Sequence, residues 1–395
     1  MRRNILVLTY WPFGDALIRT YTLPYLRIIR DLLPEGSMIY LVTLERENAN
    51  ETPAEIEKGI AHFSFPLHPF GIKAAFSWPG IIARLKKFIR TVPVDTIHTW
   101  CTPAGGIGWW LSKKTGVPLV LDSFEPHAEP MVETGTWKKG GIAYRILFYL
   151  EKKQVFHAKW IIGVVSGMKE YARIKYGYSG ENFFTKPACI DTETFSLSRR
   201  KNKQLLQSLS LEEKIVCVYA GKFGGLYLRD DFFRFAKAAA AFWPDRFRVL
   251  LLSAVPREEI DSLCAANGLD PSMVLNKFVP HSEMPDYLGL GDFAFSAFKP
   301  VPSRRFCTPI KNGEYWAMGL PVVIPAGISD DSGLIEKNEA GAVLRDFSPE
   351  AFNEAIRKIN GLLTGNPPAA RIHELAIRHR NFKIAADIYR KIYSA

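Results

Sequence analysis

Lys311 and Glu314 stand three residues apart within residues 308–324, TPIKNGEYWAMGLPVVI, a spacing that puts two side chains on one helix face. Thr308 suits an N-cap and Pro309 the first helical position, so a helix is expected to open here with its positive end at Lys311. Either the two side chains pair with each other, or Lys311 and the helix end face a phosphate while Glu314 accepts ribose hydroxyls. A second cluster lies in residues 218–242, VYAGKFGGLYLRDDFFRFAKAAAAF, where a buried strand runs through Gly221, Gly224 and Gly225 into a helix capped by Asp230. Such glycines let backbone N–H groups approach an anion, and Lys222 adds a full charge. The spacing is neither a Walker loop nor a dinucleotide fingerprint, and a tight turn explains the glycines but not the lysine.

Two further segments carry titratable groups. Residues 121–137, LDSFEPHAEPMVETGTW, place Asp122, Glu125, His127, Glu129 and Glu133 just beyond the strand VPLVLD, where acids and a histidine suit proton handling or hydroxyl binding. The alternative is that these acids neutralise a basic face nearby. Residues 10–26, YWPFGDALIRTYTLPYL, put Gly14 in the loop after the first strand and Asp15 where it caps the next helix or meets a ligand. No segment has zinc-site spacing, and Asp330 and Asp331 in SDDS read as a helix N-cap rather than a metal pair.

The elements that position these groups are short apolar runs alternating with helical patterns. NILVLT, MIYLVT, DTIHTW, VPLVLD and WIIGVVS fall in the first half, and KIVCVYAG, FRVLLLS, SMVLNKF, DFAFSAF and PVVI in the second. Continuous apolar strands separated by helices predict parallel sheets covered on both faces, an α/β architecture built twice. The polar stretch 196–214 reads as the linker, and the apolar spacing of residues 371–395 predicts one long terminal helix.

Composition agrees with two domains: 395 residues, 47% hydrophobic and 23% charged. No apolar run approaches the roughly 20 residues needed to span a bilayer, and the run after Arg2 and Arg3 reads as a strand rather than a signal segment. Five scattered cysteines without a C-x-x-C pair fit a reduced cytoplasm. The net charge of +11 is concentrated in residues 1–200, with 26 Lys+Arg against 18 Asp+Glu. No nucleic-acid motif accompanies it. Residues 84–90 (RLKKFIR) and 137–153 (WKKGGIAYRILFYLEKK) suit either an anionic membrane interface or ordinary amphipathic helices with their apolar side inward.

In this order, the glycine loop with Lys222, FVPHSEMPDYLGLGDFAF (278–295), PIKNGEYWAMGLPVV and GISDDSGLIEKNEAGAVL resemble the donor half of retaining, family-four-like glycosyltransferases with the GT-B fold. VVSGMKEYARIKYG (164–177) and KPACIDTETF (186–195) resemble the segment that closes the acceptor domain of that family. The resemblance implies two Rossmann-like domains facing across a cleft, residues 1–200 for the acceptor and 201–370 for the donor, with the helix of 371–395 returning to the first. It implies a nucleotide-sugar donor, an acceptor hydroxyl and chemistry without a metal or other cofactor; the basic, aromatic first half suggests a lipid-linked or cell-surface glycan acceptor assembled at the inner membrane face, and no nucleic-acid partner is expected. Lys222 would contact the diphosphate, Gly14, Gly224 and Gly225 would let phosphate approach, backbone near Val279 would hold the base, and Glu314 the ribose. His127 is the first candidate beside the reacting sugar and Glu125 the second. In two places the chain departs from the family's pattern. Phe306 stands where the family has a glutamate eight residues before Glu314, and Ala188 and Cys189 replace an Asn-Gly. Residues 304–308 (RRFCT) would then hold the sugar by backbone amides, with Arg305 available for an acidic sugar. A sugar-nucleotide epimerase and a non-catalytic partner subunit are the alternative functions.

Overall fold

Each predicted apolar run forms a strand in the computed structural model, which describes residues 2–66, 72–365 and 368–394. The chain divides into two units, Met1–Pro187 with Lys383–Ala395, and Ala188–Phe382.

The first unit is built on strands β1 (Ile5–Leu8), β2 (Ile39–Glu45), β3 (Ala54–Glu57), β4 (Ile60–Pro66), β5 (Thr96–Trp100), β6 (Leu119–Phe124), β7 (Trp160–Gly163) and β8 (Phe183–Thr185), in the order β3-β4-β2-β1-β5-β6-β7-β8. All neighbours are parallel except β3, which pairs antiparallel with β4 at the edge. The strand order reverses between β1 and β5, which puts residues 10–26 at the switch point.

The second unit carries β9 (Ile215–Ala220), β10 (Phe247–Leu252), β11 (Val274–Lys277), β12 (Phe293–Phe295), β13 (Val322–Pro325) and β14 (Gly341–Leu344), all parallel, in the order β11-β10-β9-β12-β13-β14. Along β9, Val216, Val218 and Ala220 enter one apolar core while Cys217 and Tyr219 enter the other. Two buried faces explain why the strand sequence is apolar without alternation. One face is covered by helices Asp230–Phe242, Arg257–Asn267 and Pro349–Thr364, the other by Ile310–Ala317 and Ala369–Arg380.

The second unit begins earlier than the polar stretch 196–214 suggested. Ala188, Cys189, Ile190 and Phe195 are buried, and the Ile190 amide donates to the Arg380 carbonyl at 2.7 Å. The predicted linker instead forms a turn at Leu197–Arg199 and a short helix, Lys203–Ser208. The terminal segment is two helices, not one: Asn381 adopts an extended conformation between Ala369–Arg380 and Phe382–Tyr393. Only the last helix belongs to the first unit, where the Tyr389 hydroxyl donates to Asp122 Oδ2 at 2.6 Å and the Tyr393 hydroxyl lies 2.6 Å from His98 Nδ1.

Arg380 secures the start of the second unit. Its guanidinium, almost wholly buried, pairs with Asp331 and donates to Thr308 Oγ1 (2.5 Å) and the Ala188 carbonyl (3.3 Å). Arg380→Ala leaves Asp331 buried without its counter-charge and is expected to cost about 3–5 kcal/mol in denaturant-induced unfolding. A loss below about 1 kcal/mol, the size of an exposed pair, contradicts this account.

Candidate donor and acceptor sites

The helix of Lys311 and Glu314 spans Ile310–Ala317, but its cap differs from the expected one. Pro309 occupies the N-cap and Thr308 makes no capping bond, because its hydroxyl oxygen accepts from the Ala188 amide and from Arg380. Lys311 Nζ lies 2.9 Å from Glu314 Oε2, so the pairing left open by the sequence is formed. His281 Nε2 approaches the other carboxylate oxygen at 3.7 Å. Burial alone would raise the pKa of Glu314, which is 2% exposed, yet Lys311 and His281 outweigh it and hold the group below its ordinary value. The helix lies close against Arg380 at Gly313, where a Cβ would meet Arg380 Cγ at 3.2 Å.

The glycine loop lies at the end of β9, beside the point where the strand order reverses between β9 and β12. Gly224 and Gly225 have φ of +80° and +58°, a backbone that glycine adopts without strain. Lys222 is exposed. The amides of Lys222, Phe223 and Gly225 donate to no group among the described residues. Asp230 lies in the first turn of its helix rather than at the cap, which is Arg229. One hydrogen bond joins the two elements: the Ala220 amide, two residues before Lys222, donates to the Tyr315 hydroxyl, next to Glu314, at 2.9 Å. Val279 follows β11 with its side chain in the same core as Ala220 and Tyr315. The structure thus brings Lys222, Gly224, Gly225, Val279, Lys311 and Glu314 to the strand ends of one unit.

Gly14, Glu125 and His127 belong to the first unit. Gly14 is exposed in the loop after β1, and Asp15 Oδ1 accepts from the Leu17 amide at 2.8 Å, the local capping role. A π-helical turn, Ile18–Thr22, follows. The acids of residues 121–137 separate. Asp122 ends in a buried network with Lys186 (3.0 Å), His98 (3.2 Å) and Tyr389, where burial is outweighed by Lys186 and His98 and its pKa falls well below the usual carboxylate range. Glu129 holds Tyr171 (3.0 Å) and Lys175 (2.7 Å). His127 immediately precedes the helix Ala128–Glu133, and its Nδ1 lies 3.1 Å from the Glu125 carbonyl oxygen. That bond assigns the ring proton to Nδ1 and makes Nε2 the basic nitrogen. The helix Asp331–Lys337 has its N-cap at Asp330, within SDDS as the sequence suggested but without a side-chain capping bond, while Asp331 is buried against Arg380 and Asn312 (2.7 Å). Among the described residues, no group of three His, Cys, Asp or Glu side chains could hold a metal ion.

Glu151, which the sequence reading passed over, fixes the His127 loop. Its Oε1 accepts from the His127 and Ala128 amides at 2.8 and 2.9 Å, and its Oε2 from the Tyr176 hydroxyl at 2.9 Å. Its spacing from Leu147, Gln154 and Val155 puts it on the buried side of the helix Ile142–His157, a signal present in the sequence. Burial raises its pKa to about 7 despite these donors. A carboxyl raised above its unfolded value binds an extra proton in the folded state. Its stabilisation is therefore complete below about pH 4.5 and lost as pH rises through about 7, with a swing of about 3 kcal/mol. Glu151→Gln is expected to flatten this part of the profile of melting temperature against pH. An unchanged slope between pH 5 and 7, roughly the span between the two pKa values, would place the titration elsewhere.

No family model matches the chain, and no curated protein is significantly similar to it in sequence. Solved structures are similar over their whole length. Sucrose-phosphate synthase from Thermosynechococcus elongatus superposes with a TM-score of 0.76 at 16% identity, covering 100% of each chain. WaaG, a glycosyltransferase involved in lipopolysaccharide biosynthesis, gives 0.70 at 16%, covering 99% of this chain and 100% of its own. HepE from Anabaena in complex with UDP gives 0.70 at 14%, covering 100% of both. The chain has the α/β fold of these proteins, the two Rossmann-like, parallel-sheet domains of GT-B glycosyltransferases.

Proposed function

We propose that the protein is a retaining glycosyltransferase that moves a sugar from a nucleoside-diphosphate donor to an acceptor hydroxyl. The observation that carries this reading is the Ala220–Tyr315 hydrogen bond, which sets the cationic glycine loop beside the helix of Lys311 and Glu314. The solved HepE structures include complexes with UDP and with UDP-glucose, which supports a uridine donor as the first to test. Lys222 and the loop amides take the diphosphate, Val279 backbone the base, and Glu314 the ribose.

Transfer breaks the bond between the anomeric carbon and the phosphate oxygen, whose electron pair leaves with the diphosphate. The acceptor oxygen bonds to the same face of that carbon, and its proton passes to the departing phosphate. Stabilising the developing negative charge is then the main task, which Lys222 performs without a metal ion, joined by Lys311 once the ribose takes Glu314 from the ion pair the two side chains form in the free protein. His127 and Glu125 serve the acceptor and the sugar.

The acceptor is read as a glycan or lipid-linked glycan at an anionic membrane surface. The helix Ile142–His157 supports this, because Ile142 (79% exposed), Ile146, Tyr149 and Phe156 recur at helical spacing beside Arg145, Lys152 and Lys153. The other basic segment is an ordinary amphipathic one, with Leu85 buried and Arg84 paired with Glu51. No helix among the described residues is long and apolar enough to cross a membrane.

Calorimetry with UDP is expected to show Lys222→Ala and Glu314→Ala each weakening binding by about tenfold or more, with the melting temperature near wild type for the exposed Lys222 and lowered, the fold retained, for the buried Glu314. Unchanged affinity in both variants removes the site. NMR of the glycoside formed should show the donor's anomeric configuration, and turnover should survive EDTA; inversion, or activity restored only by a divalent cation, contradicts the mechanism. In sedimentation with vesicles, the protein is expected to bind phosphatidylglycerol but not phosphatidylcholine, and Ile142→Glu with Tyr149→Glu to release it. Equal binding by that double variant rules out this helix as the contact.

A further inference from the structure

The turn Pro302–Phe306, beyond β12, carries a guanidinium that the transfer chemistry above leaves unused. Arg304 is 7% exposed, and its Nε and Nη2 are closed to solvent without a hydrogen-bond partner among the described residues. Its main chain, by contrast, is pinned. The amide donates to the Val301 carbonyl at 2.8 Å, and the carbonyl accepts from the Ser329 amide at 2.9 Å and from Cys307 Sγ at 3.1 Å.

Nε and Nη2 form the edge of the guanidinium that grips a planar oxyanion side-on. The same edge holds Glu57 on Arg27 (2.9 and 2.6 Å) and Glu170 on Arg173 (2.7 and 2.5 Å) at the surface. The position of Arg304 matters as much as its isolation. Its charge acts on the hydroxyl of Tyr227, whose amide closes the glycine loop onto the Gly224 carbonyl at 3.0 Å. The Leu228 amide donates to the Ala297 carbonyl (2.6 Å) and the Lys299 amide to the Leu226 carbonyl (3.0 Å), so the segments leaving β9 and β12 are joined. With its carbonyl held by the Ser329 amide beyond β13, and the segments beyond β9 and β12 joined, the turn of Arg304 lies at the same strand ends as the loop of Lys222. Within Pro302–Phe306 no acid is present to balance it, and Arg305 is occupied over the Phe306 ring at 4.9 Å.

Burying the Nε–Nη2 edge of a guanidinium without a partner costs free energy, and an oxyanion arriving with the substrate offsets that cost. We propose that Arg304 binds an oxyanion of the donor side-on through Nε and Nη2, as a recognition residue of the donor site. This rests on the reading of the second unit as donor-binding. The oxyanion belongs either to the diphosphate or to a carboxylate on the transferred sugar. Because the fork edge is closed to solvent, the side chain turns about its stem when the ligand enters.

The test uses the full chain with Arg304→Lys and Arg304→Met, titrated by calorimetry with inorganic pyrophosphate, UDP, UDP-glucose and UDP-glucuronate. The Met variant is expected to melt at or above the wild-type temperature, since it removes two buried donors that have no partner. Both variants are expected to lose about tenfold or more in affinity for at least one ligand, Lys included because an ammonium has no fork. Equal losses for all four assign the oxyanion to the diphosphate; a loss confined to UDP-glucuronate assigns it to the sugar carboxylate. Wild-type affinity for every ligand in both variants overturns the proposal while leaving the donor site standing. Failure of the wild-type protein to bind any of the four overturns both.

Discussion

The geometry of the second unit depends on one buried cation, Arg380. It ties the first residues of the unit at Ala188, the turn before the Lys311 helix at Thr308, and the buried carboxylate of Asp331 into one cluster. Its guanidinium also lies over the Trp316 ring at 5.5 Å, and its stem packs on Gly313. A helix of eight residues has little stability of its own, so this packing, rather than propensity or capping, holds Glu314 in place.

From that fixed helix the site follows by short steps. Tyr315 bonds the end of β9, β9 launches the Lys222 loop, and the loop is joined to the segment beyond β12. Parallel strands put these loops at the same end of the sheet, so Lys222, Lys311 and the loop amides lie on one side of the unit. Glu314 stays charged at this buried position because Lys311 and His281 oppose the cost of burial. The arrangement is positive around one carboxylate, which suits a ligand combining phosphates with hydroxyl groups.

Much of this was legible in sequence, for identifiable reasons. Strands buried on both faces leave continuous apolar runs, so β1, β2, β5, β6, β7 and β9–β13 could be located. The hairpin of β3 and β4 could not, because its edge strand AEIE is exposed and charged; the Lys58-Gly59 turn, with Gly59 at φ +77°, was the available signal. Lys222 was legible in the sequence as a charge that a tight turn does not explain, and Glu314 through its spacing from Lys311 and the resemblance of its segment. Thr308, Glu151, Arg304 and Arg380 were not, since each is defined by a partner, or by the want of one, that local sequence does not encode. The break at Asn381 was hidden by helical apolar spacing that continues on both sides of it.

The most direct test of the central claim is a crystal structure of the protein grown with a nucleoside diphosphate. The account predicts diphosphate oxygens within hydrogen-bonding distance of Lys222 Nζ and the amides of residues 222–225, with the ribose hydroxyls on Glu314. A diphosphate bound away from the β9 end, or a ribose that leaves Glu314 engaged by Lys311 alone, would contradict it.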